Sequence, residues 1–396
     1  MTDHHCTGLD GSNPLHALAA CGVLAALDDA GVAARMYWHR QERWYPVFSV
    51  DCDRDSLCRR LAEVFLPADV IARQQASDSA QAALTAVELR VDTASVAVQA
   101  LGKPTDAAGK AALKAAKAAE KTAKEARSAA KASVAGADAS AICTSAVQHQ
   151  HPVTAVAQHL DNIDKGGLSV DAFRQLAPGA SYLPGLAVTV ELKVKVKGGM
   201  KTMIARSAFS FSNNNSGKAL LKDFAGVARY ATPERIADAL FGDGQCTDPI
   251  TGLGWDPASQ RSYALQFADP QDLVECQTMH HALAFYGLSC FPVMPTARDR
   301  LTTGFITTRS TGPAADADDE EQGDEPTTGK RIEWFQWPIW TAPLSARAVR
   351  GVLAMADVAA TEPDLRALAA RGIAALYRAR RFSLNKRSYF APGVPA

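Results

Sequence analysis

The segment from Ser77 to Ser133 constrains the fold most, because it is rich in alanine with scattered lysine and has almost no large apolar side chain. It includes the run GKAALKAAKAAEKTAKEARSAAKAS. Alanine has the highest intrinsic helix propensity, so the segment predicts a long, protruding helical arm. Gly102 and Pro104 predict a break that turns the arm into a helical hairpin.

The charge of this arm has two interpretations. Its lysines far outnumber the two glutamates of the lysine-rich run, Glu120 and Glu125. One interpretation is a solvated helix or an interdomain spacer, which is how most charge runs behave. The other is a basic arm that lies along a nucleic-acid backbone. The seven lysines are Lys103, Lys110, Lys114, Lys117, Lys121, Lys124 and Lys131.

The rest of the chain predicts an α+β fold. Asn13 and Pro14 are typical of a helix start, and Gly31 of its end. Two strands, at 34–38 and 45–50, and an amphipathic helix at 53–65 follow. Further on, the alternating residues 186–206 predict a hairpin turning at Gly198 and Gly199. We expect a strand at 262–268, a helix at 271–288, a strand pair at 302–309 and 330–340, and helices at 345–355 and 362–377.

The predicted fold class is therefore α+β and mixed, with antiparallel hairpins, the Ala/Lys-rich helical arm and a helical C-terminal part. The expected organisation is an N-terminal α+β segment (1–75), a helical arm or insertion (76–150), a central α+β domain (151–344) and C-terminal helices with a basic tail (345–396). The acidic segment 311–329, which is poor in aromatic residues, is predicted to be a disordered loop.

Composition excludes several classes of protein. The formal net charge is +0 and hydrophobic residues make up 47%, so neither a disordered chain nor an overall basic field is expected. The eight cysteines form no C-x-x-C pair, which favours free thiols. No apolar run approaches the roughly 20 residues of a membrane span, and no secretory signal pattern is present, so we expect a cytoplasmic protein with no membrane partner.

The stretch from Met203 to Leu240 predicts a strand, an Asn-rich turn and a helix, the order found in a phosphate-binding loop. Ser212 stands where that motif needs glycine, and Ala219 where it needs serine or threonine, so nucleotide hydrolysis is not expected. Two interpretations of the turn remain. It could bind a phosphate of a nucleic-acid backbone, or it could simply cap the following helix. The residues are Asn213, Asn214, Asn215 and Lys218.

Two other segments are locally basic. Lys193, Lys195 and Lys197 fall on one side of the alternating strand. Near the C-terminus, basic residues alternate with aromatic ones, a mixture that neutralises phosphates and stacks on bases but also docks a terminal segment on a core. The basic members are Arg378, Arg380, Arg381, Lys386 and Arg387, and the aromatic ones are Tyr377, Phe382, Tyr389 and Phe390.

No catalytic, metal or cofactor site is predicted. His4, His5 and Cys6 have no second ligand pair at zinc spacing, and the neighbours His280 and His281 point different ways on a helix. No nucleophile elbow, zincin motif or dinucleotide fingerprint is present.

Several stretches together resemble a known family. They are LDGSNPLHALAACGVLAAL, FSFSNNNSGKALLKDFAGVA with ATPERIADALFG, GLGWDPASQRSYALQFADP, GLSCFPVMP, LTTGF and FQWPIW. They are similar to the large-subunit family of type I-G (formerly I-U) CRISPR effector complexes. The resemblance covers both ends and the middle of the chain but not the arm or the acidic loop.

The resemblance implies a non-catalytic subunit of an RNA-guided DNA surveillance complex of the Cascade kind. Its expected partners are the other effector subunits, guide RNA, target DNA with its short adjacent motif, and a separate helicase-nuclease. The basic hairpin, the Asn-rich turn and the basic tail would then contact nucleic-acid backbone. Two alternatives stay open, a metal-dependent nuclease or phosphoryl-transfer enzyme, and a purely structural scaffold.

Overall fold

The structure is a computed structural model that describes residues 1–65, 68–145, 185, 187–193, 200–211, 227, 230–243, 248, 253–257, 276–296, 300–309, 331–384 and 387–396. For residues 68–78, 134–145, 187–193, 200–206, 383–384 and 387 only the backbone is described. Contacts divide the chain into two units. The helical unit comprises Leu66–Gln148 and Pro152–Thr154, and the main unit comprises the remainder.

The elements of the main unit alternate between helices and strands. Its helices are α1 (Pro14–Asp29), α2 (Arg54–Phe65), α5 (Pro233–Phe241), α6 (Thr278–Gly287), α7 (Ala346–Leu353) and α8 (Leu365–Ala370). Its strands are β1 (Thr2–His5), β2 (Ala34–Arg40), β3 (Trp44–Val50), β4 (Ala187–Lys193), β5 (Met200–Arg206), β6 (Val293–Pro295), β7 (Arg300–Thr302), β8 (Phe305–Arg309), β9 (Arg331–Trp340), β10 (Ile373–Leu384), β11 (Arg387–Phe390) and β12 (Val394–Pro395). The helical unit contributes α3 (Ala68–Leu101) and α4 (Ala107–Ser145).

All strand pairs among the described residues are antiparallel. A three-stranded sheet has the order β1-β3-β2, and a five-stranded sheet has the order β11-β10-β9-β8 with β12 also on β10. The hairpins β4-β5 and β6-β7 complete the set. Together with the helices, these sheets confirm the α+β class that the sequence predicts.

Two helices cross at the centre of the main unit. In α1, Asn13 caps the N-terminus and Pro14 occupies the first turn, as the sequence predicts. Gly22 of α1 meets the backbone of Leu283 in α6, and Gly287 meets the backbone of Leu18. Because glycine has no β-carbon, the two helix backbones approach closely, and nearly every residue of both helices is buried.

Aromatic side chains fill the space beside the five-stranded sheet. Phe209 lies 4.8 Å from Phe305 and 5.1 Å from Phe335, measured between ring centroids, and Phe335 stacks on Phe390 at 5.4 Å. These pairs are fully or almost fully buried and supply much of the apolar area that folding removes from water.

The helical unit is an antiparallel hairpin with a small-residue seam. On α3 the buried positions Leu84 and Val91 are seven residues apart, which is two helical turns. On α4 the least exposed positions also follow a seven-residue pattern, at Gly109, Leu113, Ala116, Glu120, Ala123, Arg127 and Ala130. Every second position of this pattern on α4 is small, at Gly109, Ala116, Ala123 and Ala130, which leaves room for the larger side chains between the helices. The predicted break at Gly102 and Pro104 is confirmed.

The C-terminal part differs from the expectation. Sequence periodicity predicts a helix over 362–377, whereas the structure has the short helix α8 followed by the 12-residue strand β10. Gly372 ends the helix, since its φ of 83° lies in the left-handed region. The predicted helical C-terminal part with a basic tail is thus a mixed segment, in which the tail forms β10, β11 and β12. The predicted acidic loop 311–329 and the strand 262–268 lie outside the described residues.

Candidate nucleic-acid interface

The predicted binding residues fall into three groups. Asn213, Asn214, Asn215, Lys218, Lys195, Lys197 and Lys386 lie outside the described residues. Lys193 is on β4 and Arg387 on β11, but only their backbone is described. Arg378, Arg380 and Arg381 lie on β10 with described side chains.

A row of lysines runs along one side of α4. We name Lys110, Lys114, Lys117, Lys121, Lys124 and Lys131 the lysine stripe. Their spacing of three, four or seven residues keeps them on one side of a helix, each next to a residue that faces α3. All six are exposed, and the stripe is about 32 Å long at 1.5 Å of rise per residue.

The two ends of the lysine stripe differ in charge pairing. Lys124 lies 2.6 Å from Glu120, Lys121 lies 3.9 Å from Glu125, and Lys131 lies 4.0 Å from Glu88 of α3. The hydrogen bond from Lys124 lowers the pKa of Glu120. At the other end, Lys110, Lys114 and Lys117 have no ion pair with a described carboxylate, and of these three only Lys117 contributes to lowering the pKa of Glu120.

A second basic surface lies on one face of the five-stranded sheet. Trp334 of β9 is opposite Arg380 of β10, and Phe382 is opposite Tyr389 of β11. Side chains alternate between faces, so these four residues share one face with Arg378. All five are partly exposed. We name Trp334, Arg378, Arg380, Phe382 and Tyr389 the arginine–aromatic patch.

Contacts within the arginine–aromatic patch fix the ring positions. The guanidinium carbon of Arg378 lies 5.0 Å from the ring centroid of Trp334, and Trp334 Nε1 donates a hydrogen bond to Thr308 Oγ1 at 3.0 Å. The rings of Phe382 and Tyr389 are 5.7 Å apart. The patch ends at Gln336, whose side chain is buried against the carbonyl of Val358 at 2.6 Å.

Arg381 is on the opposite face and differs from its neighbours. Its Nη1 lies 2.8 Å from Oε2 of Glu333, its Nη2 donates to Ser388 Oγ at 3.2 Å, and its side chain is 17% exposed. Burial lowers the pKa of this guanidinium, and Glu333 opposes that effect. The charge of Arg381 is therefore already neutralised within the sheet. A phosphate would bind less strongly to Arg381 than to an arginine without an ion pair.

Buried histidines lie where α1 meets α6. The rings of His16 and His280 are 4.4 Å apart, and His16 Nδ1 accepts the backbone N–H of Asp10 at 2.9 Å. His280 Nε2 lies 2.7 Å from the carbonyl oxygen of Ala239, and His281 Nδ1 accepts the N–H of Leu253 at 3.4 Å. Burial lowers the pKa of all three, that of His281 to about 4.

These histidines act as polar groups of the core. Among the described residues, no group of three or more His, Cys, Asp or Glu side chains is arranged to hold a metal ion. The N-terminal His4 is likewise bonded inside the protein, with Nε2 at 2.9 Å from the carbonyl oxygen of Cys52.

Sequence reasoning missed Trp334 as a member of the basic surface. It is 44 residues from Arg378 along the chain, and only the pairing of β9 with β10 brings them together. The run RIEWFQWPIW is predicted as a strand paired with 302–309, and that pairing is confirmed. Its second partner, β10, is not predicted, because residues 362–377 have helical spacing and the residues after them are predicted as a tail.

Described residues from four of the stretches that carry the family resemblance meet in the core. Asn13 Nδ2 donates to Oδ1 of buried Asp256 at 3.1 Å, and Trp337 Nε1 donates to the carbonyl of Gly11 at 2.8 Å. Trp255 Nε1 donates to the carbonyl of Phe209 at 3.1 Å. LDGSN, GWDP, FSFS and FQWPIW are therefore joined by hydrogen bonds, and they build the fold instead of lining a surface.

The fold and its surfaces define an α+β protein with an added helical hairpin and two basic surfaces. No protein-family model matches the chain, and no curated protein matches it in sequence. None of the helices in the part of the chain that the structure describes is long and apolar enough to cross a membrane.

Proposed function

We propose that the chain is a non-catalytic nucleic-acid-binding protein, and that it serves as a subunit of an RNA-guided DNA surveillance complex in the cytoplasm. The observation that carries the binding proposal is the lysine stripe. Lysine is a strongly hydrated point charge on a flexible stem, suited to contacting phosphates without reading sequence.

The geometry of the stripe favours a polyanion over a compact anion. Its lysines are spread over about 32 Å along one helix, whereas a small phosphate ligand needs convergent donors. A nucleic-acid backbone offers a line of phosphates of matching extent, and each contact releases condensed counterions. We expect the half from Lys110 to Lys117 to contribute most to binding, because these lysines form no ion pair with a described carboxylate.

The test compares two double variants of the full chain. Lys114→Gln/Lys117→Gln removes two stripe charges, and Arg90→Gln/Lys103→Gln removes two exposed charges of the same helical unit that do not belong to the stripe. Glutamine is a good helix former, so the hairpin is kept. We expect fluorescence anisotropy with a labelled duplex to show a several-fold weaker affinity for the first variant only. Equal affinities for both variants would contradict the proposal.

The assignment to a surveillance complex rests on the resemblance and has a separate test. The chain is added to the other effector subunits assembled with guide RNA, and binding of a duplex that carries the target and its adjacent motif is measured. We expect tighter target binding when the chain is present. Unchanged binding would remove the assignment to this class while leaving nucleic-acid binding itself open to the first test.

A further inference from the structure

Two histidines meet on one face of the three-stranded sheet. His5 of β1 is opposite Val47 of β3, and His39 of β2 is opposite Tyr45, two residues away on the same face of β3. The centroids of the two imidazole rings are 5.8 Å apart, although β3 lies between their strands. His5 is exposed and His39 is partly exposed. We name His5 and His39 the histidine pair.

Tyr45 contacts both members of the histidine pair and orients one of them. Its ring centroid is 5.8 Å from that of His5 and 5.4 Å from that of His39, and Tyr45 itself is buried. His5 Nδ1 lies 3.3 Å from the hydroxyl oxygen of Tyr45. A histidine that binds a metal ion is commonly held by such a hydrogen bond from its second ring nitrogen. In the tautomer with a proton on Nδ1, this bond leaves the lone pair of Nε2 for a ligand.

The distance between the two rings is close to that of two imidazoles bound to one ion. A zinc–nitrogen bond is about 2.1 Å long, so the centres of two rings that share a tetrahedral ion lie about 5 Å apart. The difference from the observed 5.8 Å is small for side chains that reach solvent. Slight rotations of the two histidines are therefore enough to bring both onto one ion.

The charges on this face of the sheet offset each other. Asp3 and Arg35 lie on either side of Ser49, in the row of residues next to that of His5. The carboxylate of Asp3 accepts a hydrogen bond from Ser49 Oγ at 2.5 Å. Among the described residues of this face, one carboxylate and one guanidinium are thus the only other charged groups. A bound cation meets no net positive charge from them.

We propose that the histidine pair binds a divalent transition-metal ion of the Zn²⁺, Ni²⁺ or Cu²⁺ class, with the two imidazoles as protein ligands and water in the remaining positions. Imidazole is a preferred ligand of these ions, whereas Mg²⁺ and Ca²⁺ take oxygen ligands. No group of three ligand side chains occurs in the part of the chain that the structure describes, so the site has two protein ligands and open positions. The site goes beyond the proposed nucleic-acid binding and does not depend on it.

The test is a calorimetric titration of the full chain with Zn²⁺, and with Mg²⁺ as the comparison ion. His5→Gln and His39→Gln each remove one ligand, and Tyr45→Phe keeps the ring but removes the hydroxyl group that orients His5. Tyr37→Phe is the matched control, because its hydroxyl group donates to Asp3 Oδ2 at 3.2 Å and not to a histidine. The other histidines and the cysteines stay in every variant, so zinc bound by them cancels in the comparison. Thermal unfolding without metal shows that each variant is folded.

We expect the parent to bind Zn²⁺ at a site that each histidine variant weakens by about tenfold or more. Tyr45→Phe should weaken the same site by about tenfold, as loss of an orienting partner does, and Tyr37→Phe should bind like the parent. Mg²⁺ should give no heat that depends on the histidines. Parental zinc affinity in either histidine variant would disprove the site, and equal affinities of Tyr45→Phe and Tyr37→Phe would disprove the orienting role of Tyr45.

Discussion

Asn13 makes two hydrogen bonds with one side chain. Its Oδ1 accepts the N–H of Leu15 at 2.9 Å and so caps α1, while its Nδ2 donates to Asp256 at 3.1 Å. A single residue therefore starts the central helix and joins it to the buried GWDP turn. The capping role follows from the sequence order Asn-Pro, but the contact with Asp256, 243 positions away, follows only from the fold.

We expect Asn13→Ala to lower the free energy of unfolding by about 2–4 kcal/mol, since it removes a helix cap and one donor to a buried carboxylate. The matched control is Ser345→Ala, which removes only the exposed cap of α7, where Ser345 Oγ accepts the N–H of Ala348. That control should cost about 1 kcal/mol. Urea unfolding at pH 7.5 measures both, and equal losses would show that the bond to Asp256 contributes nothing.

The buried histidines predict acid sensitivity. Burial lowers the folded-state pKa of His16, His280 and His281 below the ordinary value, with Asp256 partly opposing the shift at His280 and His281 and Arg43 adding to it at His16. Between the two pKa values the unfolded chain binds more protons than the folded one. Stability from these groups is therefore complete above about pH 6.5 and is lost as pH falls towards the folded values.

For His281, whose pKa is lowered to about 4, acidification lowers the free energy of unfolding by about 3 kcal/mol at most. His281→Asn, which retains an acceptor for the N–H of Leu253, should reduce the difference in unfolding free energy between pH 7.5 and pH 5. The exposed His5→Gln should keep the parental difference. A parent protein equally stable at both pH values would contradict the account.

At the scale of elements, the crossing of α1 and α6 depends on two glycines. A β-carbon on Gly287 would overlap the carbonyl oxygen of Leu18, and one on Gly22 would overlap that of Leu283. Backbone atoms cannot move aside as the end of a flexible side chain can. The helix crossing must therefore open if either glycine acquires a side chain.

We expect Gly287→Ala to destabilise the protein by about 3 kcal/mol or more through this overlap. Gly351 is the matched control, because it also lies in a helix but has open space around it. Gly351→Ala should raise the unfolding free energy by about 0.5–1 kcal/mol, the difference in helix propensity. Thermal unfolding should shift in opposite directions, and a stable Gly287→Ala protein would disprove the close crossing.

Local signals account for the elements that the sequence predicted correctly. The caps of α1, the two short strand-forming runs of β2 and β3 on either side of a polar turn, and the alanine content of α3 and α4 are all properties of neighbouring residues. The sequence prediction for β10 was wrong because this strand depends on a distant partner and not on neighbouring residues. Leu365, Leu368, Ile373 and Leu376 recur at helical spacing, and only pairing with β9 makes the second half of this stretch a strand.

The two basic surfaces show the same difference between local and distant sequence signals. The lysine stripe was visible in the sequence because helical spacing alone puts its members on one side of α4. The sequence predicts four members of the arginine–aromatic patch, Arg378, Arg380, Phe382 and Tyr389, because they lie in one segment. It does not predict Trp334, which comes from a strand 44 positions before Arg378. Gly372, with its φ in the left-handed region, is a local signal for the end of α8.

At the scale of the whole molecule, distant parts of the chain build one core in the main unit. Trp340 Nε1 donates to the carbonyl of Met36 at 2.9 Å, and Trp337 reaches Gly11. The described side chains of the resembling stretches are thus used for packing, while the six lysines of the lysine stripe are exposed. This separation explains how a chain with a net charge of +0 can still present local binding surfaces.

The salt dependence of nucleic-acid binding tests the central claim most directly. The slope of the logarithm of the affinity against the logarithm of the salt concentration counts the phosphates that the protein neutralises, at about 0.9 for each duplex contact. We predict that Lys114→Gln/Lys117→Gln reduces the magnitude of the slope for a duplex by about 1.8, and that Arg90→Gln/Lys103→Gln leaves it unchanged. A slope that is the same for the parent and both variants would contradict the claim that the lysine stripe binds a nucleic-acid backbone.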